Sequence, residues 1–263
     1  MLPSYTSLAL SRRGAVLQVM LNRPDSLNSF NLALHDELAE ALDFARHDPD
    51  SNVILLTGAG RAFSAGGDLD HIANSAANPH LFDHEIAIAK RIILNLLEIE
   101  KPVICRLNGH AVGLGATIAL CCDIIYAADK AKIGDPHVGI GLVAGDGGAI
   151  VWAQRIGLAR AKEYLLTGEL LLAPKAAEIG LINQSLPAEE LDQAVDALCE
   201  KLANGAQMAI RYTKALTNME LKRVAALVLD QGLAWEGESV RSADHREAIS
   251  ALQEKRSPQF GRT

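Results

Sequence analysis

Aromatic side chains make up only 4% of this 263-residue chain, so alanine, leucine, isoleucine and valine must do most of the packing. Long hydrophobic runs are lacking too. The longest uncharged one, Ala111 to Cys122, spans twelve residues and contains two glycines, whereas a bilayer needs about 20. No basic stretch followed by a clean apolar segment opens the chain, so no signal peptide is expected and the protein is expected in the cytoplasm. The four cysteines, Cys105, Cys121, Cys122 and Cys199, show no CxxC spacing and sit in apolar stretches. They read as buried free thiols of a reducing compartment rather than zinc ligands or disulfides. Positive charge is also in deficit. A formal net charge of -7 argues against a nucleic-acid partner, while a phosphate-bearing ligand could still use local cations and helix N-termini.

What the chain does have is an alternation of short apolar strands, glycine-bearing turns and amphipathic helices. Val16–Leu21, Val53–Leu56, Val103–Leu107 and Ile124–Ala127 read as strands. Residues 31–46 carry Leu34, Leu38, Ala41, Leu42 and Ala45 at helical spacing; residues 84–99 and an apolar segment from Leu114 to Cys121 also read as helices. That order predicts an α/β domain over residues 1–190. Residues 191–263 read as helical only, with one stripe at Leu191, Val195, Leu198 and Leu202 and another at Leu221, Val224, Leu227 and Val228. This C-terminal region is expected to serve oligomerisation.

Two glycine-bearing segments join a strand to a helix: Ser64-Ala65-Gly66-Gly67-Asp68, and Asn108-Gly109 through Gly113-Leu114-Gly115. Free N–H groups at such places favour negative charge. Two amides converging on one point would form an oxyanion hole; the alternative is a pair of ordinary strand-to-helix turns. Gly113-Leu114-Gly115 lacks the third glycine of a dinucleotide fingerprint, so no nicotinamide site is expected. His80 and His84, four apart, could share a helix face as metal ligands, but with no third ligand evident they read as a solvated junction, and no metal site is expected. His110 reads as a turn residue near the pocket.

Leu21-Asn22-Arg23-Pro24-Asp25-Ser26-Leu27-Asn28, Arg61 to Leu69, Lys101-Pro102-Val103-Ile104 through Gly115, Cys122-Asp123-Ile124 and residues 244–256 occur in the order found in the enoyl-CoA hydratase/isomerase (crotonase) family, which the chain resembles over nearly its whole length. The resemblance implies a crotonase-type spiral of ββα turns that build two roughly perpendicular sheets and are closed by C-terminal helices, and a homotrimer or homohexamer. It implies an acyl-CoA substrate with no separate cofactor, and oxyanion donors at the N–H groups of Gly67 and Leu114. Coenzyme A would pass Ser26 and Leu27 and lie beside Ala65. Asp25 stands where the family can place a phosphate-facing lysine.

The family's two catalytic glutamates are missing. Thr117 and His137 occupy their places, and threonine is no base near neutral pH. Histidine titrates there, and Asp146, nine residues further on, could orient its imidazole. That pair resembles the β-diketone hydrolase branch, with a weaker match at His35; the alternative is a structural hydrogen bond that shapes the loop. Three functions stay open at this point: acyl-CoA hydratase/isomerase chemistry, retro-Claisen carbon–carbon hydrolysis, and non-catalytic RNA or ligand binding.

Overall fold

The computed structural model describes residues 1–78 and 80–261, so the last two residues of the helical C-terminal region lie outside it. Strands β1 (Leu8–Arg13) and β2 (Val16–Leu21) form an antiparallel hairpin. Helix α1 (Leu32–His47) follows, capped by Asn31, whose Oδ1 accepts a hydrogen bond from Leu34 N at 3.0 Å.

Three strand–strand–helix units then build the body. In the first, β3 (Val53–Gly58) and β4 (Ala62–Ser64) precede α2 (Leu69–Ala77) and α3 (His80–Glu98). The second comprises β5 (Val103–Leu107), β6 (His110–Val112) and α4 (Leu114–Cys121). The third has β7 (Ile124–Ala128), β8 (Lys132–Gly134), a 3-10 turn at His137–Ile140 and α5 (Gly148–Ile156). After them come α6 (Leu158–Thr167), β9 (Leu171–Leu172), α7 (Ala173–Glu178) and β10 (Gln184–Leu186). The chain finishes with α8 (Ala188–Ala203), α9 (Gln207–Val240) and α10 (Ala243–Gln253).

Each unit gives its long strand to a six-stranded sheet, ordered β1-β2-β3-β5-β7-β10, and its short strand to a four-stranded sheet, ordered β4-β6-β8-β9. The step between sheets is tight. A Cβ on Gly109 would stand 2.1 Å from Arg61 O, so only glycine fits, and the neighbouring Asn108 Oδ1 accepts from Gly58 N at 3.1 Å. Alternation along β3 sends Ile54 and Leu56 into the main core with Leu34, Leu38 and Ile92. Val53 and Leu55 face the other side, where Leu191, Val195 and Cys199 of α8 cover them. Burial on both faces is why this strand reads as an unbroken apolar run.

The four strands and the α4 helix expected from the sequence are present, as are the four buried free thiols. The second sheet, which the family resemblance implies, could not be read from periodicity, because strands of two or three residues are too short to show a period. The helix expected at 84–99 begins earlier, at His80, and α2 precedes it. In α9 the buried side is Ala225, Leu229, Leu233, Glu236 and Val240, while Leu227 and Val228 are exposed. Apolar residues occur all around this helix, so spacing alone could not choose its inner face. Among the described residues no helix is long and apolar enough to cross a membrane.

Candidate active site

Three loops leave the carboxyl ends of the adjacent parallel strands β4, β6 and β8, the edge where open parallel sheets place ligands. They carry Gly66-Gly67, Gly113-Leu114 and Asp135-Pro136-His137 respectively. Gly113 N donates to Gly134 O at 2.9 Å, holding the second loop to the third. Gly66 has φ +90° and Gly113 φ +54°, and a Cβ on Gly66 would lie 3.0 Å from Val112 O. Glycine is needed at both places for conformation as well as space.

This packing leaves two amides without partners. A bridge between Phe30 and Gly67 uses Phe30 N to Gly66 O (2.7 Å) and Asp68 N to Phe30 O (3.0 Å), and takes no bond from Gly67 N. Leu114 is the first residue of α4, so its N–H precedes the first helical bond, Thr117 N to Gly113 O at 3.0 Å. Among the described residues neither N–H has a hydrogen-bond acceptor. Both residues line one cavity of about 210 Å³ whose walls are otherwise mainly apolar, and His137 lines it too.

The His137 ring lies between two carboxylates. Nδ1 bonds to Asp135 Oδ1, and Nε2 is 4.0 Å from Asp146 Oδ2. Asp146 Oδ1 in turn accepts from Thr117 Oγ1 at 3.1 Å and Gly148 N at 3.2 Å. Glu236 of α9 reaches the same cavity, because Gly145 and Gly232 let helix and loop approach; a Cβ on Gly145 would be 2.1 Å from Gly232 O.

Burial resists charge on His137, yet the carboxylates of Asp135 and Asp146, with Glu236 behind them, outweigh it and hold the imidazole pKa well above its ordinary value. Burial pushes the Asp146 and Glu236 carboxyls up, the latter strongly and helped by the Asp146 charge. Asp135, His137 and Asp146 have ligating atoms within 4.8 Å of one another, close enough to share an ion. With Nδ1 committed to Asp135, the imidazolium itself is the countercharge.

Of the residues singled out in the sequence, Gly67, Leu114, His137, His35 and Ala65 line the main cavity. Asp146 borders an adjoining chamber of about 40 Å³ together with His35, Leu114 and Glu236. Ser26 and Leu27 are not on the cavity wall; Leu27 O accepts from Ala65 N at 3.0 Å, which puts this segment beside the rim. His35 is buried, and desolvation takes its pKa down to about 4; its Nδ1 lies 3.0 Å from Asn31 O. His110 sits at the start of β6, at the end away from Gly113, with Nδ1 accepting from Lys132 N. His80 and His84 lie on the surface, His84 against Asp36 at 3.2 Å.

Sequence reasoning missed Asp135, Glu236, His71 and Glu85, all of which border His137 or its cavity. Asp135 had a signal, an acid two residues before the candidate histidine. A larger cavity of about 320 Å³, between α4 and α9, is a poorer candidate. Its cations are spent on structure: Lys214 on Asp123 at 2.7 Å, and Arg155 on the Leu120 and Cys122 carbonyls.

The family described as Enoyl-CoA hydratase/isomerase matches residues 11–263. The chain belongs to the enoyl-CoA hydratase/isomerase family. Its relatives include the 1,2-epoxyphenylacetyl-CoA isomerase of Escherichia coli, 37% identical over 93% of this chain and 94% of that protein. A probable mitochondrial enoyl-CoA hydratase of Dictyostelium discoideum is 33% identical over 97% and 90%. The crystal structure of an enoyl-CoA hydratase/isomerase from Mycobacterium paratuberculosis superimposes with a TM-score of 0.90 at 38% identity, covering 94% of this chain and 98% of that one. The architecture is thus the crotonase fold, and the chain is an enzyme of this family.

Proposed function

We propose that this family member forms and holds the enolate of an acyl-CoA thioester, with His137 moving the proton. The observation that carries the reading is the shared cavity: Gly67 and Leu114, whose N–H groups are unpartnered, and His137 all line it. Two backbone donors suit a thioester oxygen whose charge grows in the transition state. His137 serves as base once it has lost its own proton, so Asp135 and Asp146 set the pH at which it works. Coenzyme A enters over Ser26 and Leu27 and beside Ala65, as part of the substrate, and no further cofactor is required. The His137/Asp146 pair takes the role that glutamates have in relatives. A cytoplasmic setting suits the four buried thiols. Exposed Met208, Tyr212, Leu216 and Met219 on α9 support the reading of the 191–263 region as the contact for a homotrimer or homohexamer.

A second reading, carbon–carbon hydrolysis of a β-diketone or β-ketoacyl-CoA, is favoured by one feature. Thr117 ties down Asp146, leaving its Oδ2 without a hydrogen bond on the imidazole side. Water deprotonated by His137 would form a C–O bond at one carbonyl. The C–C bond would break with its electron pair passing to the enolate held at Gly67 and Leu114, and the imidazolium would then return the proton to carbon. Turnover in heavy-oxygen water separates the readings. Label in a 3-hydroxyacyl-CoA means addition to a double bond, label in a new carboxylate means hydrolysis, and turnover untouched by His137→Ala removes the histidine from both.

A further inference from the structure

A second imidazole–carboxylate couple lies on the cavity wall supplied by the α2–α3 hairpin, and neither proposed reaction uses it. His71 lines the cavity one helical turn beyond Gly67, with its Nε2 2.9 Å from Glu85 Oε1. The approach lies off the line of a hydrogen bond, so the buried Nε2 has no in-line partner. Glu85 is only 7% exposed, and Ser75 Oγ, one turn along α2, donates to the same Oε1 at 2.9 Å. The His35 ring stands 6.5 Å from that of His71, and its Nδ1 is already engaged with Asn31 O.

Pinning α2 to α3 needs no more than the Ser75–Glu85 bond. It does not call for an imidazole on the cavity wall among Leu69, Ile72 and Phe82. With Nε2 closed off against Glu85, Nδ1, which makes no hydrogen bond among the described residues, is the ring nitrogen that a ligand oxygen can meet. We infer that His71, backed by Glu85, binds a second oxygen on the substrate, and that the preferred substrate is an acyl-CoA whose chain carries a carbonyl or hydroxyl beyond the thioester. The inference rests on the acyl-CoA reading. It explains why an apolar pocket has a polar group on two walls: His137 and the two amides meet the reacting thioester end, and His71 meets the remote oxygen. A site built to hydrogen-bond an oxygen discriminates strongly against the analogue that lacks it.

Calorimetric binding of hexanoyl-CoA against its 3-oxo, 4-oxo and 5-oxo analogues tests this without requiring turnover. At least one oxo analogue should bind the wild-type protein about tenfold or more tighter than hexanoyl-CoA, the range of leaving a buried polar group unpaired. His71→Leu should bring that preference down to within about twofold, and His71→Gln, which keeps a donor, should recover part of it. A role confined to stapling α2 would lower the melting temperature of both variants and leave the preference in place. Wild-type protein that binds all four ligands alike, or a His71→Leu protein that keeps the preference, overturns the inference alone. Failure to bind any of the four overturns the acyl-CoA reading and the inference with it.

Discussion

Replacing Asp146 by asparagine removes a buried charge while nearly preserving shape. Asparagine Oδ1 can still accept from Thr117 Oγ1 and Gly148 N, at 3.1 and 3.2 Å. The group facing His137 Nε2 at 4.0 Å changes from a carboxylate oxygen to an amide. Unit charges at that separation attract by about 4 kcal/mol at an effective dielectric of about 20, which corresponds to about 3 pKa units. Relaxation and the spread of the carboxylate charge reduce this, so the imidazole pKa should fall by about 1–3 units. The assay is a nitrogen-15 NMR titration of His137 alongside the pH profile of kcat/KM. Both midpoints should move to lower pH, since the folded-state pKa is raised in the wild type. Because that pKa is raised, the stabilising attraction is full below the ordinary histidine value of about 6.5 and fades as pH rises through the folded value. The stability lost in the variant should therefore be greater at pH 6 than at alkaline pH. A titration midpoint that moves by less than about 0.5 unit would refute the electrostatic account of His137.

Leu114→Pro deletes one N–H at the first position of α4, where proline is tolerated; kcat should drop by about 100- to 1,000-fold, with circular dichroism little changed. Glu236→Gln removes an acid whose folded pKa is raised by burial. The unfolded chain ionises first, so the wild type loses stability as pH rises above the ordinary glutamate range; the variant should lack that loss and be the more stable protein at pH 8 in urea titrations. Gly109→Ala puts a Cβ against the Arg61 carbonyl, which belongs to backbone and cannot swing aside; denaturant midpoints should show a loss of about 3 kcal/mol or more. Light scattering should report a trimer or hexamer, and Leu216→Glu on α9 should shift it toward monomer.

Much of the fold was legible because buried strands and amphipathic helices write their environment into local order. The Val-Ile-Leu-Leu run of β3 is apolar on both faces because the main core lies on one side and α8 on the other. The turn chemistry was legible too, since Gly66 and Gly113 mark places where the chain needs a positive φ. Likewise His137 stood out because imidazole is a proton carrier near neutral pH wherever it is placed.

What the sequence could not decide was company. Asp135 at Nδ1 and Asp146 facing Nε2 are separated from the histidine by two and nine residues, but which nitrogen each meets depends on how the 3-10 turn folds back over Gly113. Glu236 lies in α9, where apolar residues surround the helix and the inner face is chosen only by packing against α3, α5 and Gly145. His71 and Glu85 belong to different helices and meet only because α2 and α3 fold together. Local sequence thus specified the strands, the turns and the chemical type of the proposed proton carrier. Tertiary structure decided which charges surround it, because electrostatic influence in a buried site depends on separations of a few ångströms that chain order does not contain.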